Sequence, residues 1–163
     1  MAFFFFISFV ILTRAVELLH SRRNETWLVE QGAVEYGRKH YPFIVALHAL
    51  FLISLMVEYY TIQNGSFNAV LLVLYFMLLA FKVWVIGSLG KFWNTKIYHV
   101  TGFPLVKKGA YKYFKHPNYV IVIAEIAIIP LVFNLYFTAI VFTILNFIML
   151  FVRIKEENKA LRI

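Results

Sequence analysis

Neither cysteine nor aspartate occurs anywhere in the chain. Without cysteine there can be no disulfide framework, no thiolate zinc site and no cysteine nucleophile. Without aspartate, all 8 acidic residues are glutamates, and they face 16 lysines and arginines. Glycine (7) and proline (4) are sparse, and no sequence repeat at a fixed period is present. Nor is there a pair of broken helices in inverted halves of the kind transporters use. A net charge of +8 usually prompts a search for a nucleic-acid partner. Nothing else in the chain supports one, so the charge needs another origin.

Apolar residues make up 62% of the 163 positions, and the mean hydropathy is +0.77. The apolar runs are too long and too many for a soluble core. They predict an all-α, polytopic integral membrane protein forming a single domain over residues 1–163. A span needs about 20 mostly apolar residues. Five segments are candidates: Ala2 to Leu19, Pro42 to Tyr60, Phe67 to Ile86, Tyr119 to Leu131 and Leu135 to Val152. The first lacks the basic start and small-residue cleavage site of a signal peptide. Asn64-Gly65-Ser66 predicts a tight turn, and Gly87 and Gly90 loosen the end of the third helix. The fourth segment is short, and Pro130 with Asn134 predicts a tight hairpin into the fifth.

The basic residues sort by segment. None lies in the turns around Asn64 and Asn134. They occupy the stretches after the first and third helices and the tail after the fifth, with Arg14 and Lys82 near helix ends from which their stems can snorkel. The positive-inside rule then predicts five helices, with the N-terminus outside and the C-terminus cytosolic. Residues 87–118 and 153–163 become the cytosolic parts where chemistry can occur.

Two groups stand out there. In Gly102 to Glu125, Pro117 restrains His116 and suits the first turn of a helix, which places His116 at the N-cap beside unpaired backbone N–H groups. Such a terminus favours an acceptor-rich ligand, and Tyr111, Tyr113 and Tyr119 add rings able to stack or to face a cation. An interfacial belt of Tyr and Lys is the plain alternative. The second group is Arg153-x-x-x-Glu157, four apart on one helical face. An arginine there can fork onto a carboxylate or enolate oxygen; a surface ion pair is the plain alternative.

Leu105-Val106, Gly109, Tyr111 and Lys115-His116-Pro117-Asn118-Tyr119, followed by Arg153 and Glu157, resemble the membrane isoprenylcysteine carboxyl methyltransferases. The likeness covers roughly residues 84 to 161. It implies S-adenosylmethionine as cofactor, bound by Phe103, Pro104, Leu105, Val106, Tyr111, His116, Pro117, Asn118, Tyr119 and Glu157. It also implies that Arg153 meets the substrate, with Arg153 and Glu157 as the catalytic pair. Two positions depart from the family pattern: Phe103 replaces a polar side chain found in some members, and Ile121 replaces a frequent glycine. With no Gly-x-Gly-x-x-Gly and no aspartate, a soluble Rossmann-type methyltransferase is excluded.

The short chain is most similar to bacterial members, some of which resemble alkylpyrone O-methyltransferases. The expected partners are therefore the lipid bilayer and a lipophilic enol or carboxylate, with no nucleic acid; the oligomeric state stays open. Phospholipid N-methylation and a non-catalytic membrane scaffold are the alternative readings. Glu125, a carboxyl at membrane depth, is a candidate for substrate binding or for a structural pair with Lys or Arg. His48 is expected to make an interhelical hydrogen bond, and Glu58 to be solvated. The spacing of His20, His40, His48, His99 and His116 predicts no metal site.

Overall fold

A computed structural model describes residues 1–62, 66–104 and 106–161, except for the side chain of Leu161. Among the described residues five helices form: α1 (Ala2–Glu30), α2 (Tyr41–Ile62), α3 (Ala69–Leu89), α4 (Pro117–Leu131) and α5 (Tyr136–Leu161). Four of them, α1, α2, α3 and α5, are long and apolar enough to cross a bilayer, while α4 falls short. Large apolar side chains such as Phe5, Val70 and Phe137 point outward with well over half their surface uncovered. Helices that are apolar all round suit a lipid solvent. The chain is an integral membrane protein.

The end of the bundle that carries the start of α1 and the α4–α5 hairpin is held by aromatic packing and by helix caps. Phe3 stacks on Tyr59 at 3.7 Å and meets Phe133 edge-on at 5.1 Å. The α4–α5 hairpin forms as Pro130 and Asn134 predict. Asn134 takes a left-handed φ of 59°, and the N–H of Leu135 reaches back to the Pro130 carbonyl at 3.0 Å. Asn is one of the few residues that adopt this conformation readily. Asn68 caps α3 by accepting from the N–H groups of Val70 and Leu71. Of the expected Asn64-Gly65-Ser66 turn, Asn64 and Gly65 lie outside the described residues.

Several expectations are corrected. Helix α1 does not stop near Leu19 but continues to Glu30, because its polar extension finds partners. Ser21 and Asn24 are buried there and bond the segment after α3. Helix α3 runs through Gly87 to Leu89, and Gly90 ends it with a φ of +57°. A two-stranded antiparallel ribbon, unforeseen in the sequence, pairs β1 (Val34–Tyr36) with β2 (Ile97–His99). Glu58 is no solvated bystander: it accepts from the N–H groups of Phe137 and Thr138 at 2.9 and 2.8 Å, capping α5. His48 bonds the Ile44 carbonyl of its own helix at 2.8 Å, with no interhelical partner among the described residues.

Arg14 and Lys82 do not snorkel. With Glu17 and Glu125 they form a four-membered ion cluster joining α1, α3 and α4. Arg14 meets Glu17 at 3.0 Å and Glu125 at 2.8 Å; Lys82 meets the same two carboxylates at 2.5 and 2.8 Å. Lys82 and Glu125 are each only 2% exposed. Two positive and two negative charges offset one another, which is how buried ions are tolerated in an apolar medium. The cluster ties α4, the helix that His116 caps and that carries Tyr119, to α1 and α3.

Candidate active site

The hairpin sets the first turn of α4 beside the last turns of α5, and there the two predicted groups meet. His116 is the N-cap of α4 and Pro117 its first residue, as their order implies. The His116 ring lies nearly parallel to that of Tyr119, 5.4 Å away. Its Nε2 is 3.3 Å from Asn158 Oδ1 and its Nδ1 is 3.5 Å from Glu157 Oε2. The Tyr119 hydroxyl donates to Glu157 and accepts from Arg153 Nε at 3.0 Å. Arg153 and Glu157 are therefore joined through Tyr119, and are not the surface ion pair their spacing also permits. Arg153 also bonds the Thr95 carbonyl at 2.5 Å. These two bonds leave three of its five N–H groups without a partner among the described residues.

The Thr95 carbonyl belongs to a segment that α1 holds in place. Asn24 donates to the Trp93 carbonyl at 2.7 Å, and Ser21 accepts from the Thr95 N–H at 3.0 Å. Glu25 accepts from Lys96 and from the Tyr98 hydroxyl at 2.6 and 2.7 Å. Burial, then the neighbouring Glu25, pushes the Tyr98 phenol well above its ordinary pKa and keeps it a donor. Opposite, a short turn over Gly109–Lys112 presents Tyr111. Gly109 has a φ of +56°, and a Cβ there would come within 2.0 Å of Ser88 Oγ. Only glycine lets this turn close onto the end of α3. Burial, with Glu157 adding to it, raises the Tyr111 phenol too.

Between these parts lies a cleft partly open to solvent. From the motifs it gathers Tyr111, His116, Asn118, Tyr119, Arg153 and Glu157. Leu89, Phe92, Trp93, Asn94, Lys96, Ile97 and Tyr98 complete it. Those seven lie outside the motifs. The Trp93-Asn94 pair just after Gly90, within a basic stretch, was the available signal. Four expected residues are not among its lining. Phe103 is 45% exposed with its ring 5.8 Å from that of Phe92; Pro104 is exposed and Val106 half-buried; Pro117 is buried in the helix start. Leu105 lies outside the described residues. Glu125 is also absent from the cleft. Its carboxylate is taken up by Arg14 and Lys82, the structural pairing weighed for it. Ile121, fully buried, packs with Val85 and Ala110 beneath the Tyr111 turn, away from the cleft lining.

The family described as "Isoprenylcysteine carboxyl methyltransferase (ICMT) family" matches residues 69–163. The chain belongs to the isoprenylcysteine carboxyl methyltransferase family. The match begins at the first residue of α3, so α1, β1 and α2 lie outside it while holding the cleft's floor. Two relatives match over nearly the whole chain. The Bacillus subtilis (strain 168) uncharacterized protein YpbQ is 43% identical over 98% of this chain and 96% of its own length. An uncharacterized protein of Haemophilus influenzae (strain ATCC 51907 / DSM 11121 / KW20 / Rd) is 30% identical over 93% of this chain and 90% of its own. No solved structure matches. Membership in the isoprenylcysteine carboxyl methyltransferase family marks the protein as a membrane methyltransferase.

The cleft has the chemistry to hold the methyl donor that the family implies. Trp93, Tyr111, His116 and Tyr119 provide flat faces for a base and electron-rich rings for a sulfonium. Trp93 lines the cleft, and its Nε1 is buried without a hydrogen-bond partner among the described residues. Glu157 offers a negative charge for the donor's amine.

Proposed function

We propose that the protein uses S-adenosylmethionine to methylate an oxygen, enol or carboxylate, of a lipophilic acceptor at the cytosolic face of a bacterial plasma membrane. An alkylpyrone and an isoprenylcysteine are both acceptors of this kind. The observation that carries this reading is the Arg153–Tyr119–Glu157 bridge at the wall of the cleft. When bound, the cofactor supplies a methyl group on a sulfonium: the S–CH3 bond breaks as an acceptor oxygen pair forms the O–CH3 bond, and the released pair stays on sulfur.

The chain's residues contribute by binding and orientation. Trp93, Tyr111, His116 and Tyr119 form the aromatic wall against which the donor packs. Glu157, fixed by the Tyr119 hydroxyl, receives the donor's positively charged end. Arg153 is fixed by Tyr119 and the Thr95 carbonyl, and turns its unused N–H groups toward the acceptor oxygen. Carboxylates titrate near pH 4, so such an acceptor is ionised at neutral pH and needs no general base. Holding nucleophile and methyl in line is then the main catalytic contribution. An amine acceptor would have to lose a proton first and would gain nothing from Arg153.

Calorimetric titration of the detergent-purified protein with S-adenosylmethionine tests the reading. Saturable heat is expected. No heat from a sample shown to be folded would leave a non-catalytic scaffold as the surviving account.

A further inference from the structure

The turn that presents Tyr111 to the cleft also has an outer side. It is seated on the last turn of α3: the Ala110 N–H donates to Ser88 Oγ at 3.3 Å, and Ala110, fully buried, packs with Val85 and Ile121. Helix α3 is long and apolar enough to cross a bilayer, so a segment seated on its end lies at the bilayer surface. Tyr111 lines the cleft, whereas Tyr113 and Phe114 are 70% and 53% exposed. Lys107, Lys108, Lys112 and Lys115 are exposed around them. None of these four forms an ion pair among the described residues, while Lys82, Lys96 and Lys159 each hold a glutamate. No acidic residue occurs between Glu58 and Glu125, so the turn carries no counter-charge of its own.

We propose that the outer side of this turn docks on anionic phospholipid headgroups of the surrounding bilayer, and that docking tightens donor binding by holding the Tyr111 turn closed on the cleft. The coupling to the donor rests on the methyltransferase reading above and adds a regulator to it. Topology alone accounts for positive charge in this segment, but not for two uncovered aromatic rings among the lysines, nor for their place on the turn that lines the cleft. A headgroup layer meets both features. Its phosphates pair with the ammonium groups, each lysine near an anionic surface being attracted to it, and aromatic rings settle at the same level. The N–H groups of Tyr113 and Phe114 both bond the Ala110 carbonyl, at 3.2 and 3.0 Å. The outer rings and Tyr111 therefore belong to one hydrogen-bonded turn. A lipid that favours the ordered turn from outside favours the donor from inside, and the donor must favour lipid docking by the same factor.

The test uses the full chain in nanodiscs of phosphatidylcholine, alone or mixed with phosphatidylglycerol. S-adenosylhomocysteine is expected to bind about fivefold tighter in the mixed discs, the low end of ordinary coupling between sites. Salt at 1 M, which shortens the screening length to about 3 Å, should abolish the difference. The variant Lys107→Gln/Lys108→Gln/Lys112→Gln should bind the ligand equally in both discs, with the affinity that wild type shows in phosphatidylcholine. Docking is read separately. Because the chain has no cysteine, Tyr113→Cys takes a single fluorophore. In mixed discs, spin-labelled phosphatidylglycerol should quench it more than spin-labelled phosphatidylcholine, and added S-adenosylhomocysteine should widen that gap. Equal quenching by the two lipids would overturn the docking and leave the turn to an acidic protein partner. Equal ligand affinity of wild type in both discs, or a lipid preference kept by the lysine variant, would overturn the coupling; either result leaves the methyltransferase reading standing. Wild type that binds no S-adenosylhomocysteine in any disc removes the methyltransferase reading. Preferential quenching would then uphold the docking by itself, and its absence would remove both.

Discussion

Replacing Tyr119 by phenylalanine removes one oxygen and keeps the ring, and that oxygen is where the two predicted groups join. The hydroxyl accepts from Arg153 Nε and donates to Glu157. Each is a hydrogen bond to a charged group, worth about 1.5–3 kcal/mol. Neither partner is left entirely free, since Arg153 keeps the Thr95 carbonyl and Glu157 keeps His116 at 3.5 Å. The net loss should therefore be close to one such bond, about 2 kcal/mol, or roughly a 30-fold fall in kcat/KM for the acceptor. The retained ring still lines the cleft, so S-adenosylmethionine should bind within about threefold of wild type. The assay pairs calorimetry for the donor with radiolabelled methyl transfer to a long-chain hydroxypyrone. Wild-type turnover in Tyr119→Phe would refute the idea that this hydroxyl orients Arg153. A large loss of donor affinity with normal turnover at saturation would move its role to the cofactor.

Arg153→Ala should retain donor binding in the same calorimetric experiment and lower turnover by about 2–4 kcal/mol; intact turnover refutes the role given to it. Gly109→Ala forces a Cβ against Ser88 Oγ. It should displace the Tyr111 turn and weaken S-adenosylmethionine about tenfold by calorimetry, a strain cost of order 1–3 kcal/mol. Adding Ser88→Gly should recover part of that loss. Lys82→Met leaves Glu17 and Glu125 with Arg14 alone, and should destabilise the protein by about 3–5 kcal/mol, read as a lower thermal midpoint in detergent. The double variant Lys82→Met/Glu125→Gln should be the more stable of the two, since it removes a charge of each sign.

What the sequence disclosed was local. His116-Pro117 announces a helix start because proline restricts both neighbours, and Asn134 after Pro130 announces a turn because few residues tolerate a left-handed φ. Apolar runs mark helices whatever they pack against. The features that escaped depend on partners far along the chain. Ser21 and Asn24 look like the polar end of a span, yet Thr95 and Trp93 satisfy them from more than 60 residues away, so α1 continues. Arg14 and Lys82 look like snorkelling cations until Glu17 and Glu125 are seen between them. Glu58 looks solvated until α5 brings two bare N–H groups to it. In the site, the α4 start and the α5 end were legible as motifs. The floor at Trp93–Tyr98 was not, because no single short pattern marks a segment held by α1 and paired with β1.

The most direct measurement incubates the purified protein with methyl-deuterated S-adenosylmethionine and the hydroxypyrone, and follows the lipid by mass spectrometry. The account predicts a product carrying one labelled methyl on oxygen, formed by wild type and sharply reduced in Arg153→Ala. No labelled lipid from folded protein that binds the donor, or label on nitrogen of a phospholipid instead, would contradict it.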